Sequence, residues 1–561
     1  MARTKTTATP SIDPDNKITK TKISRQIIPK LSKSSVKKTE TEESNATSQI
    51  VLPNTDILSV NHNSATKYED NSKSVEDNKI TSNLPNSIPS ISINNKNIDQ
   101  NKLYKKREYS EHGYEQLKNN NGDVRLKSSE SKTMLPNSSV LQNNYKINEL
   151  EAKTIAELRS IAISIGLEGV GELNKHDLIL RILSIATQNQ GNNIPVEGIL
   201  EIMTDNTHGI LRSMKLIPSE NDVYVSLSQI RRFNMRMGDY VVGLARLPKD
   251  NERYLSLLRV DSINGTKAEE ATNRPYFEKM TPIFPNRLMN IESDPETLST
   301  RLIDMLSPIG YGQRGMVVAP PKAGKTWLLK DIAKGISHNH PDIHLMVVLI
   351  AERPEEVTDM ARFVKGEVFS ANFDDSAEVQ VKVAELSLER AKRMVESGYD
   401  VVILLDSITR LARAYNVVMP TSGRTLSGGM DPIALYPPKR FFGAARNFEV
   451  GKSLTIIATA LVDTGSKMDD VVFEEFKGTG NMELHLDRSL AERRVYPSVN
   501  IKESSTRNEE LLLGRENLAK IWGIRRLIDE MKPIDAINAI SDRLKKTKTN
   551  QLFLDTIHEI I

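Results

Sequence analysis

The sequence predicts an α/β protein. A largely parallel sheet with helices on both faces is preceded by a small helical module and a small β-barrel, with a disordered extension ahead of both. Three observations carry this prediction. Four short apolar runs alternate with helical stretches beyond residue 285, the pattern of buried parallel strands. A loop of phosphate-binding type separates the first run from a helix. The first 145 residues are rich in Asn, Ser, Thr and Lys and hold no sustained period. The expected divisions are 1–145 disordered, 146–194 helical, 195–262 barrel, 263–285 linker and 286–561 the α/β domain.

Order begins near Ile147. Thr154 and Glu157 have capping-box spacing, and Ile155, Leu158, Ala162 and Ile165 then follow at helical intervals up to Gly166. A second helix starts around Asn174, with Asp177 in its first turn and Leu178, Ile179, Ile182 and Leu183 on its apolar face. Five strand-like runs follow: 198–203, 209–213, 222–226, 240–246 and 254–260, punctuated by Gly, Asn, Asp and Pro. Their number and length suit a barrel of the oligonucleotide-binding type, although the spacing fits any small β domain.

The composition narrows the chemistry. The chain has 76 basic and 73 acidic residues, so any nucleic-acid surface must be local. It has no cysteine, which excludes disulfides, thiol nucleophiles and thiolate metal sites. There is no apolar run of 18 residues, and the expectation is a soluble protein without a membrane partner. The basic first 30 residues suit a solvated tail, an organellar transit peptide or an arm on nucleic acid, and the composition favours the first.

The runs Met316 to Val318, Leu345 to Ile350, Val401 to Leu405 and Thr455 to Leu461 are the expected parallel strands. After the first comes Ala319-Pro320-Pro321-Lys322-Ala323-Gly324-Lys325-Thr326, a P-loop with Ala319 in place of the first glycine. Backbone N–H groups would cradle phosphate, Lys325 would neutralise it, and Thr326 would offer its hydroxyl to magnesium. Asp406, at the end of the third run, would face the same crevice and hold magnesium through water, with a helix cap as its plainer role. Glu352 follows the second run in Ala351-Glu352-Arg353, at the same edge of the sheet, and is placed to polarise a water, or to lie on the surface before a helix.

Longer strings add to this. Residues 352–357 read Glu-Arg-Pro-Glu-Glu-Val, and Leu405 to Tyr415, Pro438 to Asn447 and Phe476 to Leu486 are equally distinctive. Over these stretches the sequence resembles the Rho family of bacterial transcription termination factors, from about Ile147 to the end. The resemblance implies a RecA-like motor domain behind an OB-fold (cold-shock-like) barrel. It also implies a homohexameric ring that hydrolyses ATP between subunits, draws single-stranded RNA through its centre and releases it from RNA polymerase. Elongation factors are further expected partners. The implied location is the bacterial cytoplasm, with organellar import left open by the basic amino terminus.

Carried onto matching positions, the resemblance implies Lys322, Lys325 and Thr326 at the phosphates, Asp406 at Mg2+, and Glu352 as the catalytic carboxylate. Arg494 and Arg507 would reach the neighbouring subunit's nucleotide, Arg507 as the arginine finger. Tyr496 would lie at the adenine. Pro320, Ala323, Gly324, Trp327 and Arg353 complete the expected nucleotide contacts, Trp327 with helix packing as its plainer role. The barrel would hold RNA through Arg212, Tyr224, Glu252, Arg253 and Tyr254. Arg424 and Thr425 in the 421–429 loop, and Lys467 in the 463–468 loop, would line the central hole.

The sequence departs from the family at several points. Thr207-His208-Gly209-Ile210-Leu211-Arg212 stands where the family has Gly-Phe-Gly-Phe-Leu-Arg, so both aromatic platforms are missing. Base stacking on an aromatic is worth about 1 to 3 kcal/mol per base, so the expectation is a primary RNA site that is weakened or changed in preference. Ala351 replaces the usual Asp beside Glu352, and Arg424 the usual Lys. Two rival readings are a rotary ATPase subunit and an RNA-binding scaffold without turnover. The helical module ahead of the barrel speaks against the first, and the retention of Lys325, Glu352, Asp406 and Arg507 against the second.

Overall fold

The computed structural model describes residues 146–188, 193–249 and 252–556. The predicted disorder of 1–145 lies outside them.

Thr154 accepts from the Glu157 amide, and Glu157 reaches back to the Thr154 amide at 2.7 Å, so the predicted capping box opens a helix. Three helices make the amino-terminal module: α1 (Ile147–Glu151), α2 (Ile155–Ser164) and α3 (Lys175–Gln188). Leu158, Ala162, Leu178, Ile179, Ile182 and Leu183 bury their side chains between these helices and the barrel.

The barrel strands are β1 (Ile194–Ile202), β2 (His208–Arg212), β3 (Val223–Ser226), β4 (Tyr240–Arg246), β5 (Leu255–Ile263) and β6 (Thr266–Lys267), with helix α4 (Leu227–Arg232) after β3. The order β3-β2-β1-β4-β5 closes through a parallel β3–β5 pairing, which removes the free edges. The barrel runs past its expected limit at 262, because β6 pairs back onto β5. The expected linker is not a free tether. Ala271 and Phe277 within it are buried, and Arg274 pairs with Asp239.

Beyond β7 (Pro282–Ile283) and α5 (Leu298–Leu306) lies the α/β domain. In chain order it holds β8 (Arg314–Ala319), α6 (Lys325–Asn339), β9 (His344–Glu352), α7 (Pro354–Phe363), β10 (Glu367–Asn372), α8 (Ala377–Glu396), β11 (Val401–Asp406) and α9 (Ile408–Val418). Then come α10 (Tyr436–Gly443), β12 (Asn447–Phe448), β13 (Leu454–Leu461), α11 (Lys467–Lys477), β14 (Met482–His485), α12 (Arg488–Glu492) and β15 (Ser505–Thr506). The sheet order is β10-β9-β11-β13-β8-β14-β15, parallel except for the last pair.

Alternate residues of each central strand go to opposite faces. Met346, Val348, Ile403, Leu405 and Ile456 pack towards α8 and α9. Leu345, Val347, Leu349, Val402 and Leu404 pack towards α6 and α7. Both faces are therefore covered, which is why these strands read as unbroken apolar runs. The helices α13 (Glu510–Asp529), α14 (Pro533–Leu544) and α15 (Asn550–Thr556) form a separate apolar cluster with α5.

The barrel meets the α/β domain along α8. Gly238 has φ +89°, and a Cβ there would sit 2.4 Å from the Glu389 carbonyl carbon. Only glycine allows this approach. Around it, Arg236 binds Glu396 at 2.6 Å, Arg390 donates to Asn264 at 2.7 Å, and Lys382 lies 2.8 Å from Glu201.

Candidate nucleotide and RNA sites

Because β8, β9, β11 and β13 run parallel, their carboxy-terminal ends share one edge of the sheet. The loop after β8 turns through Lys322 (φ +66°) and Gly324 (φ +92°) before α6 starts at Lys325, so the first α6 amides face the crevice. Ser498 donates to the Ala323 carbonyl at 2.6 Å and braces the loop from behind. Pro320 and Ala323 are buried in that brace, while Lys322 is exposed and has no carboxylate partner among the described residues.

Lys325 Nζ lies 2.8 Å from Glu352 Oε1 and 2.6 Å from Asp406 Oδ1. Burial works against the ammonium, but Asp406 and Glu352 outweigh it and raise the lysine above its usual range. Burial also raises Glu352, and the nearby Asp406 charge adds to the effect, whereas Lys325 and Arg410 oppose it. Thr459 on β13 donates to Asp406 Oδ1 at 2.8 Å. Thr326 donates to Glu356 Oε2 at 3.1 Å. The alternative role for Asp406 as a helix cap falls to Ser407, whose side chain accepts from the Arg410 amide.

Three partners of this site were not singled out from the sequence. Arg410 lies 3.0 Å from Glu352 Oε2 and also donates to the Ala351 carbonyl. Glu356 and Thr459 complete the set. Arg410 and Glu356 sit inside the strings that carry the family resemblance, but Glu352 ends β9 while Glu356 lies in α7, so no shared periodicity marks them. Ala351 itself has φ +55°, a left-handed conformation unusual for a residue with a Cβ.

A cavity of about 770 Å³ opens beside the loop, lined by Gly324, Trp327, Leu486, Tyr496, Pro497 and Ser498 among others. Trp327 is 72% exposed and Tyr496 53%, so Trp327 is not buried by packing against its neighbours, and both residues line the cavity. The size is that of a small-molecule site. A second cavity of about 910 Å³ is lined by Ala351, Arg353, Arg410 and Arg413.

Arg494 and Arg507 are exposed, and neither has a carboxylate partner among the described residues. Arg507 follows β15 near Arg314 at the start of β8. Burial, then Arg446 and Arg507, hold the Arg314 guanidinium below its usual range. The P-loop begins at the other end of β8, about 17 Å along the strand. Arg507 therefore does not join Lys325 within one chain.

On the barrel, Tyr224 is part-exposed and His208 stacks on it, with centroids 5.3 Å apart and planes at 24°. Ile210 is buried and pairs directly with Tyr224, on the same face of the strands as His208. Arg253 covers the Tyr254 ring at 5.3 Å. Glu252 accepts two bonds from Arg246, which with the Lys249 amide pull it down to about 2. Arg212 is buried, its guanidinium held between Glu201, at 2.5 Å, and Asp222, on the same face of β2 as His208 and Ile210.

The two expected hole-lining loops lie together. Gly428 has φ +76°, and a Cβ there would be 2.5 Å from the Met468 amide nitrogen. Arg424, Thr425 and Lys467 are exposed on this pair of loops. Arg413 on α9 binds Asp469 and Ser466, at 2.7 and 3.0 Å, and so ties the second loop to the helix that carries Arg410.

Sequence comparison agrees with this layout. Residues 149–191 match the Rho termination factor N-terminal domain, and 196–269 match the Rho termination factor RNA-binding domain. Residues 299–506 match the nucleotide-binding domain of the ATP synthase alpha/beta family. Transcription termination factor Rho of Bacillus subtilis is 54% identical over 416 residues, covering 74% of this chain and 97% of that protein. The chain belongs to the Rho family. The Rho proteins of Thermotoga maritima and Escherichia coli are each 52% identical, over 74% and 73% of this chain and 97% and 98% of their own lengths. This Rho-family chain thus joins an RNA-binding barrel to an ATPase domain that binds nucleotide. Among the described residues, no helix is long and apolar enough to cross a membrane.

Proposed function

We propose that this chain is an RNA-dependent ATPase and translocase that terminates transcription by pulling nascent RNA from RNA polymerase, acting as a homohexamer in the bacterial cytoplasm. The observation that carries this reading is the convergence of Lys325, Glu352 and Asp406 at the shared edge of the parallel strands.

Each residue has a defined task. Lys322, Lys325 and the α6 amides bind the phosphates of ATP, with Tyr496 and Trp327 on the base side of the cavity. Glu352 takes a proton from the attacking water, held in place by Arg410. The donor set suits Mg2+, which is commonly held by one or two protein oxygens together with phosphate. Asp406 Oδ2 takes no hydrogen bond from the described residues, and the Thr326 hydroxyl is the second donor. When bound, Mg2+ neutralises charge between the phosphates.

Arg507 is exposed, has no carboxylate partner among the described residues and lies at the end of β8 away from its own P-loop, which supports a role at a neighbouring subunit's nucleotide. Arg424, Thr425 and Lys467 follow an RNA backbone without reading its sequence. Tyr224, Tyr254 and Arg253 hold RNA on the barrel. ATP hydrolysis measured with and without single-stranded RNA, for the wild type and Glu352→Gln, tests the reading. RNA-stimulated turnover lost in Glu352→Gln supports it. RNA-independent turnover points to a rotary relative, and no turnover to a scaffold.

A further inference from the structure

The parallel sheet has two edges with different chemistry. Its carboxy-terminal edge carries the P-loop, Glu352 and Asp406. Its amino-terminal edge carries three arginines. Arg314 opens β8, Arg446 is bridged to Leu454 at the start of β13, and Arg507 follows β15, which runs antiparallel to β14. Asn481 draws two of them together, because its Oδ1 accepts from the Arg314 amide and its carbonyl from the Arg507 amide, both at 2.9 Å. The Arg314 guanidinium donates to the Ala445 carbonyl at 3.2 Å, next to Arg446, and to the Thr479 carbonyl at 3.0 Å.

This cluster holds no acid. The two carbonyls satisfy N–H groups of Arg314 but leave its charge, and burial, then Arg446 and Arg507, act against that charge with no carboxylate in the balance. Arg446 is half-buried and, like Arg507, has no carboxylate partner among the described residues. Glu449 and Glu510, the acids that follow Arg446 and Arg507 in sequence, are exposed and make no ion pair with them. Like charges so placed repel, and a half-buried cation without a partner gives up hydration for nothing. An anion arriving from outside the chain offsets both costs, and guanidinium matches phosphate oxygens two at a time.

The arginines lie about 17 Å along β8 from the P-loop of their own chain, so the phosphate edge of one copy can meet the arginine edge of another only head to tail. We propose that Arg446 is a second phosphate contact at that junction, binding the γ-phosphoryl group of the neighbouring copy's ATP beside Arg507, with Arg314 as the buried cation behind both. This rests on the reading that Arg507 reaches a neighbour's nucleotide. In hydrolysis the water oxygen bonds to the γ-phosphorus while the bond to the bridging oxygen breaks, its electron pair staying on ADP, and Glu352 takes the water proton. Arg446 and Arg507 hold the phosphoryl oxygens meanwhile. ADP lacks that group, so Arg446 tells the two nucleotides apart.

The experiment measures binding of labelled ADP and of the non-hydrolysable analogue AMP-PNP to the full chain with single-stranded RNA, at ring-forming and at dilute, monomeric concentrations fixed by sedimentation. The variants are Arg446→Ala, Arg446→Lys and Arg507→Ala, with thermal melts to confirm folding. In the ring, Arg446→Ala is expected to weaken AMP-PNP roughly 10- to 100-fold, the worth of a hydrogen bond to a charged group, and ADP by about two-fold at most. Arg446→Lys should recover part of the loss, and in the monomer the loss should vanish. Equal weakening of both nucleotides, or a loss that persists in the monomer, overturns the inference. So does weaker RNA binding by Arg446→Ala without nucleotide, which would make the cluster an RNA contact. If Arg507→Ala weakens AMP-PNP and Arg446→Ala does not, the inference about Arg446 fails and the neighbour reading stands. If Arg507→Ala also leaves AMP-PNP binding and RNA-stimulated hydrolysis unchanged, the neighbour reading itself fails.

Discussion

Arg410 Nη1 lies 3.0 Å from Glu352 Oε2, so a cation from α9 steadies the carboxylate proposed to activate water. Burial, and then Asp406, raise the Glu352 pKa, so as pH falls the base is lost at a higher pH than for an ordinary glutamate. Arg410 opposes that shift. Replacing it with Ala should raise the Glu352 pKa further and move the acid limb of the kcat/KM profile to higher pH. An acid limb unmoved in Arg410→Ala would show that the pair does not tune the base.

Glu352→Gln keeps the shape and removes the base. Turnover should fall by about 10²- to 10⁴-fold, with nucleotide still bound. Comparable turnover in the variant would assign water activation elsewhere.

The chain has two tryptophans, Trp327 and Trp522. In a Trp522→Phe background, the remaining emission reports on the cavity beside Tyr496. ATP should change that emission, and Tyr496→Ala should weaken ATP binding by about 2- to 10-fold, the worth of one aromatic pair. Emission indifferent to saturating ATP would place the base outside this cavity.

The side chains of Arg236 and Glu396 are almost fully shielded where the barrel meets the α/β domain. Arg236→Met removes one of the two cations on a buried carboxylate and leaves Arg393 as the other, so the cost should fall below the ~3 to 5 kcal/mol of an unpaired buried charge. Urea unfolding should show this loss, and an unchanged midpoint would mean that Arg393, 3.1 Å from Glu396, suffices.

Much of the fold is legible because both-face burial writes central strands as unbroken apolar runs, as in Val401 to Leu405. The edge strand β10 (Glu-Val-Phe-Ser-Ala-Asn) and the short β14 (Met-Glu-Leu-His) carry polar residues, and no such run marks them. The same limit applies to the sites. Glu352 and Asp406 end β9 and β11 and Lys325 opens α6, places that local sequence fixes. Arg212 lies in a string that the family uses for RNA, but Glu201 and Asp222 converge on it only through pairing of β2 with β1 and β3. His208 and Tyr224 meet across that same register.

Gly428 and Met468 lie 40 positions apart in sequence, yet their backbones touch so closely that even a methyl group would force them apart. The two loops must therefore travel as a single lever. Arg413 links that lever to α9 and thus to Arg410. A push felt at either loop would reach the carboxylate proposed to activate water through one helix.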